Sequence, residues 1–162
     1  CIAGTSAGAA VMSRQMIAQG QAPIITQKDV VSFDIGLGLV SMAIIDQHFS
    51  QRRRLTRLLS ALAQRPDLLG VGIDENTGLV ITVNESIEVI GDGSVTILDG
   101  REMISNYEEI EAQEKLELLG VRMHLLPSGS SYNVNAYRAE EKRVASLLNA
   151  IKYLVLPGPA RI

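Results

Sequence analysis

Five residues near the start of the chain, Gly4-Thr5-Ser6-Ala7-Gly8, admit few local structures. The spacing G-x-S-x-G belongs to a sharp turn between a strand and a helix, in which the serine side chain projects clear of the backbone. Cys1-Ile2-Ala3 reads as the end of a strand, and Ala7, Gly8, Ala9 and Ala10 as a short helix small enough to lie against the turn. The N–H of Ala7 points where charge would develop on an oxygen attacked by Ser6, so it is a candidate oxyanion donor.

Apolar periodicity places the turn in an α/β chain. Residues 1–13 give the strand end, turn and helix, and residues 20–42 read as irregular. Ala43-Ile44-Ile45-Asp46 is a short buried strand, followed by a helix from Ser50, as N-cap, to about Gln64. Leu55, Leu58, Leu59 and Leu62 form that helix's apolar stripe, and Pro66 stops it. Leu69 to Ile73 is the next strand. Leu79–Val83 and Ile87–Ile90 are strands, and Gly91-Asp92-Gly93 predicts a hairpin turn into Val95–Leu98. Val121–Leu126 and Tyr132–Val134 are late strands. A final helix is expected from about Ala139 to Tyr153, with Val144, Leu147, Leu148 and Ile151 on one side. Strands alternating with helices and then hairpins predict an α/β sheet with an antiparallel hairpin extension. At 162 residues one domain with its own core is expected.

A serine hydroxyl needs a base, and the chain has two histidines. His48 follows a buried strand and precedes a helix, at the kind of strand end where open α/β sheets bind ligands. His124 lies inside a strand pattern, which suits a structural role better. The orienting carboxylate has three candidates: Glu75 and Asp74 at the end of the next strand, and Asp46 beside the histidine. The favoured order is Ser6, His48, Glu75. That differs from the Ser, acid, His order of α/β-hydrolases, although the turn itself resembles theirs.

Arg52, Arg53 and Arg54 open the helix that follows His48, and Arg57 comes one turn later. A helix N-terminus already carries about half a positive charge, so each unpaired arginine there costs roughly 0.3–1 kcal/mol. Arg52, Arg54 and Arg57 are therefore expected to form a pocket for carboxylates, whose geometry matches the guanidinium fork.

A net charge of −3, 4% aromatic residues and no tryptophan argue against nucleic-acid binding. One cysteine allows neither a disulfide framework nor a multi-cysteine zinc site, and fits a cytoplasmic setting. No apolar run reaches the roughly 18 residues that suggest a membrane span, so no membrane partner is expected.

Taken together, GTSAGAAVM (4–12), IDQHFSQRRRLTRLLSALAQRPDLLGVGIDENT (45–77), EVIGDGSVTILDGR (88–101) and the weaker VRMHLLPSG (121–129) resemble the cyanophycinase family of serine peptidases. The similarity runs over most of residues 1–135. It implies a fold like that of class I glutamine amidotransferases and dipeptidase E, with a mainly parallel sheet flanked by helices, in a homodimer. It implies hydrolysis of cyanophycin, an aspartate polymer with arginine on each β-carboxyl, to β-aspartyl-arginine. On that pattern Ser6 is the nucleophile, His48 the base and Glu75 the orienting acid. Asp46, Gln47, Arg52, Arg54 and Arg57 match substrate-pocket positions, and no metal or organic cofactor is required. Family members carry further strands before the turn. This chain is therefore expected to be the C-terminal portion of a longer enzyme, inactive and poorly soluble alone, with the N-terminal strands and second oxyanion donor missing. The tail over 136–162 departs from the pattern and is expected to add a helix for docking, dimerisation or core packing. Two other functions fit the residues: a dipeptidase for aspartyl or isoaspartyl peptides, and an inactive homologue used as a binding module.

Overall fold

A computed structural model describes residues 1–82, 86–133 and 144–155. The Ser6 turn leads into α1 (Ala7–Ala10). A hairpin follows, β1 (Gln15–Gly20) with β2 (Val31–Ile35), then β3 (Ala43–Gln47), α2 (Leu55–Gln64) and β4 (Leu69–Ile73). The second half is largely strands: β5 (Thr77–Thr82), β6 (Ser86–Gly91), β7 (Ser94–Asp99), β8 (Ile104–Ser105), β9 (Leu118–Leu119), β10 (Arg122–Pro127) and β11 (Ser131–Asn133), with α3 (Ala145–Leu154) last.

A four-stranded sheet in the order β10-β7-β4-β3 carries the site. Its only parallel pair among the described residues is β3 with β4, in register from Ala43 opposite Leu69 to Gln47 opposite Ile73. The pairs β4–β7 and β7–β10 are antiparallel. The fold is α/β, but the sheet here is mixed where a mainly parallel one was expected. The physical reason is connectivity: β3 reaches β4 through α2, a crossover that a parallel pair requires, whereas no helix intervenes between β4 and β7.

Alternation along the strands sends side chains to two cores. On one face Ile44 and Leu98 meet Leu58, Ala61 and Leu62 of α2, together with Phe49. On the other, Ala43, Ile45, Val71, Val95 and Ile97 meet Ile87 and Val89 of β6 and Leu147, Ala150 and Ile151 of α3. Strand β4 presents Gly70 and Gly72 to the α2 side. A Cβ on Gly70 would stand 3.0 Å from the Leu58 side chain, and one on Gly72 would stand 2.4 Å from the Phe49 ring. Small residues there let α2 and Phe49 lie flat on the sheet.

Three expectations are corrected. Residues 20–42 are not wholly irregular, because β2 pairs with β1 from Gln15 opposite Ile35 to Gly20 opposite Val31. Only Ile17 and Val31 of that hairpin are buried, so its apolar alternation is too sparse to show in the sequence. Gly91-Asp92-Gly93 does not close a hairpin. Strand β6 pairs with β5 and β11, and β7 with β4 and β10, so the turn carries the chain from one sheet to another. Gly91 takes φ 102 there, with the Asn76 carbonyl so close that a Cβ would fall 2.0 Å from it. Finally, α2 starts at Leu55 rather than Ser50, with residues 50–54 in turns. Leu58 and Leu62 of the expected stripe are fully buried while Leu55 is 40% exposed. Val83, Val134 and residues 139–143 of the expected elements lie outside the described residues.

Candidate active site

Ser6 occupies the N-cap position of α1 with φ 50 and ψ −121, outside the regions that L-residues ordinarily populate. The turn closes through Gly8 N–H to the Thr5 carbonyl at 2.8 Å and Ala9 N–H to the Ser6 carbonyl at 2.9 Å. Gly4 is required by space: a Cβ there would stand 2.2 Å from the Gly8 carbonyl oxygen. Ala7 is the first helical residue, where the N–H has no intrahelical acceptor. The segment is then tied to the sheet by Ser13. Its fully buried hydroxyl accepts the Ile45 N–H at 3.1 Å, which fixes the Ser6 turn relative to β3.

His48 comes directly after β3 and also has a positive φ of 50. Its Nε2 lies 2.9 Å from Ser6 Oγ, and its Nδ1 lies 2.7 Å from Oε1 of Glu75. Glu75 sits in the turn after β4, so the parallel pairing of β3 and β4 is what delivers both groups to one edge of the sheet. The line is open to solvent, with 26% of the His48 side chain and 49% of the Glu75 side chain exposed. Such an order lets a hydroxyl give its proton to an imidazole whose other nitrogen is held by a carboxylate. Phe49, the residue after His48, is pressed onto Gly72 and anchors the loop there.

The two rival carboxylates have other partners. Asp74 accepts the Ser50 N–H on Oδ1 at 3.0 Å, and the Ser94 N–H and hydroxyl on Oδ2 at 3.1 and 2.8 Å. Burial pushes the Asp74 carboxyl up, but the hydrogen bonds from Ser50 and Ser94 more than offset this and leave it below its ordinary value. Asp46 is 1% exposed. Its oxygens accept Arg57 Nε at 2.9 Å and Nη2 at 2.5 Å, and Arg54 Nη1 at 3.1 Å.

This places the arginines differently from the open pocket that the sequence suggested. Arg54 and Arg57 are buried against Asp46, and Arg54 also donates to the Gln47 carbonyl at 2.6 Å. Arg52 and Arg53 are exposed, in the turns ahead of α2. The helix-end conflict is therefore relieved in two ways. Arg52, Arg53 and Arg54 all precede the helix, and Arg54 and Arg57 share a carboxylate. Two guanidinium groups on one carboxylate leave an excess positive charge behind His48. Burial pulls Arg54 below its usual value, Asp46 partly restores it, and repulsion from Arg57 and Arg52 adds to the fall. Gln47 follows Asp46 at the strand end, with its buried Oε1 unbonded among the described residues.

His124 is remote from this edge. It lies on β10, separated from β3 by two intervening strands, about 14 Å at the usual interstrand spacing. Burial pushes its imidazole below the usual value, with Asp99 partly offsetting. A cleft of about 670 Å³ lined by Arg14, Phe33, Ile35, Met42, Arg65 and Leu68 lies at the other end of β3, away from His48. Among the described residues no group of three His, Cys, Asp or Glu side chains could hold a metal ion, and no helix is long and apolar enough to cross a membrane.

Sequence reasoning did not single out Gln51 or Ser94. Gln51 Oε1 accepts the Glu75 N–H at 3.1 Å, and Ser94 completes the Asp74 contacts. Neither carries a local signal, because each acts on a residue far from it in the chain, Gln51 on Glu75 and Ser94 on Asp74.

Residues 1–90 match the sequence profile of peptidase family S51. A cyanophycinase of Geminocystis herdmanii is 47% identical over 133 residues, which cover 82% of this chain and 49% of that protein. One from Thermosynechococcus vestitus is 40% identical over 149 residues, covering 91% and 46%. One from Trichormus variabilis is 43% identical over 134 residues, covering 82% and 45%. The chain thus spans about half the length of the curated relatives it matches.

Proposed function

The chain belongs to peptidase family S51, and on that premise we propose that the protein is a serine peptidase hydrolysing cyanophycin to β-aspartyl-arginine. Ser6 Oγ attacks the scissile carbonyl while His48 Nε2 takes its proton. Glu75 accepts the Nδ1–H and stabilises the imidazolium that forms. Ala7 N–H holds the oxyanion. The imidazolium then protonates the leaving amine, and water attacks the acyl-enzyme with His48 again as base. The observation that carries this reading is the continuous line Glu75–His48–Ser6, at 2.7 and 2.9 Å, ending on a serine in a strained turn.

Substrate charge supports the same reading. Cyanophycin presents a free carboxylate and a guanidinium on every residue pair. The excess positive charge of the Asp46, Arg54 and Arg57 cluster favours the carboxylates, and exposed Arg52 is free to meet them directly. Asp46 contributes by holding the two arginines, and Gln47 by its unbonded carbonyl. An open, solvent-facing line also suits a polymer end better than an enclosed pocket would. The reading includes a glutamine-amidotransferase-like fold for the whole protein, a homodimer and a cytoplasmic setting.

The test is to incubate the full-length protein with cyanophycin granules and, separately, with aspartyl and isoaspartyl dipeptides, alongside labelling by a serine-reactive phosphonate. Granule clearance and labelling, both abolished in Ser6→Ala, are expected. Turnover of the dipeptides alone would make it a dipeptidase. No labelling and no turnover would make it a binding module.

A further inference from the structure

The loop after β3 and the turn after β4 exchange more hydrogen bonds than the contact between His48 and Glu75 requires. Phe49 N–H donates to the Ile73 carbonyl at 3.1 Å and Ser50 N–H to Asp74 Oδ1 at 3.0 Å. In the reverse direction Glu75 N–H donates to Gln51 Oε1 at 3.1 Å. Each segment thus supplies one side-chain acceptor to the other's backbone. Asp74 is fixed in turn by β7, through the Ser94 N–H and hydroxyl on Oδ2 and its own N–H on the Ser94 carbonyl at 3.2 Å.

Both segments need such restraint. His48 and Asn76 hold φ values of 50 and 52, a left-handed conformation that costs free energy for any residue with a Cβ and persists only where the surroundings over-determine it. An unbraced loop would relax toward negative φ at His48, swinging the imidazole away from Ser6 and Glu75. We propose that Asp74 and Gln51 are positioning residues, which hold the His48 loop and the Glu75 turn against each other so that the imidazole lies between Ser6 Oγ and the carboxylate. Neither touches the reacting atoms. Both Asp74 oxygens are occupied by Ser50 and Ser94, and Gln51 reaches only the Glu75 backbone.

The inference rests on the peptidase reading, and its test separates the two. In the full-length protein, Gln51→Ala, Asp74→Asn and Asp74→Ala are compared with wild type and with Ser6→Ala. The measurements are kcat and KM on cyanophycin, thermal unfolding, and the low-field Nδ1–H proton resonance of His48, assigned by its loss in His48→Gln. A misplacement of about 1 Å in a reacting group costs on the order of 100-fold in rate. Gln51→Ala removes an exposed side chain and is expected to leave the melting temperature near wild type. In that variant and in Asp74→Asn, kcat is expected to fall about 10–100-fold with KM nearly unchanged, and the low-field resonance is expected to weaken or vanish through exchange with water. If Ser6→Ala abolishes turnover while Gln51→Ala and Asp74→Asn keep both kcat and the resonance, the bracing role is wrong and the peptidase reading stands. If Ser6→Ala retains activity, the peptidase reading fails. The resonance then decides the brace alone: unchanged in both variants, it overturns the brace, and lost, it supports it.

Discussion

At the scale of single residues, Asp46 shows how placement changes what a charged side chain can do. Beside a histidine in sequence, it is a candidate for holding an imidazole or a substrate guanidinium. At 1% exposure with Arg54 and Arg57 on its oxygens, it holds two arginines together behind the site instead. Breaking a buried pair strands its partner in a poorly solvated place, which costs about 3–5 kcal/mol. Asp46→Ala strands both guanidinium groups and is therefore expected to lower unfolding free energy by about 3 kcal/mol in urea titrations. Arg65→Ala is the control. The Arg65 and Asp67 side chains are 38% and 54% exposed, so losing that pair is expected to cost less than about 1 kcal/mol. Equal losses in the two variants would mean that Asp46 is solvated rather than enclosed.

At the scale of elements, what matters is which surfaces are allowed to touch. Gly72 on β4 leaves room for Phe49, and Phe49 follows His48 directly. Gly72→Ala is expected to force the ring off the sheet, costing about 1–3 kcal/mol as overpacking does and slowing turnover as the imidazole moves with it. Normal melting and normal kcat in that variant would show that Phe49 is not the anchor. A second join links the segment 21–30 to 106–117. Lys28 Nζ donates to the Tyr107 and Ile110 carbonyls at 2.7 and 2.6 Å, and Tyr107 Oη donates to Asp29 at 2.6 Å. Burial, and then the bond and charge of Asp29, push the Tyr107 phenol up to about 12. A raised folded-state value means that the folded chain keeps its proton longer than the unfolded one. This contribution is present below the ordinary value of 10.0 and is lost as pH rises through about 12. Ultraviolet titration is expected to show a late phenolate step, absent in Tyr107→Phe.

At the scale of the whole molecule, acid stability is shared among distant carboxylates. Asp67 is held below its ordinary value by the bonds from Arg65, Asp99 by those from Arg101, and Asp74 by Ser50 and Ser94 against the upward pull of burial. Lowered folded-state values stabilise the fold above the unfolded value of 3.8, and that stabilisation drains away as pH falls below it. The urea midpoint is expected to hold from neutrality down to about pH 5 and to fall by about pH 3. The fall should be shallower in Asp99→Asn, and an unchanged slope there would remove Asp99 from the set. Some elements are legible from local signal alone: the Ser6 turn from its spacing, β3 and β4 from continuous apolar runs, and α2 from its 3.6-residue period. The same signal puts His48 and Glu75 just past strands, because strand termini show as the point where apolar runs stop, whereas the strand end expected at Cys1-Ile2-Ala3 does not form and Ser6 is placed by its turn and α1. Long-range packing set the rest: the β1–β2 hairpin, the passage of the chain between sheets at Gly91, the capture of Arg54 and Arg57 by Asp46, and the bonds from the Glu75 and Ser50 N–H groups to Gln51 and Asp74. Each of these is a pairing between residues distant in the chain or hidden by an unremarkable local pattern. Its partner is chosen by the register of packed strands, which no short stretch of sequence contains.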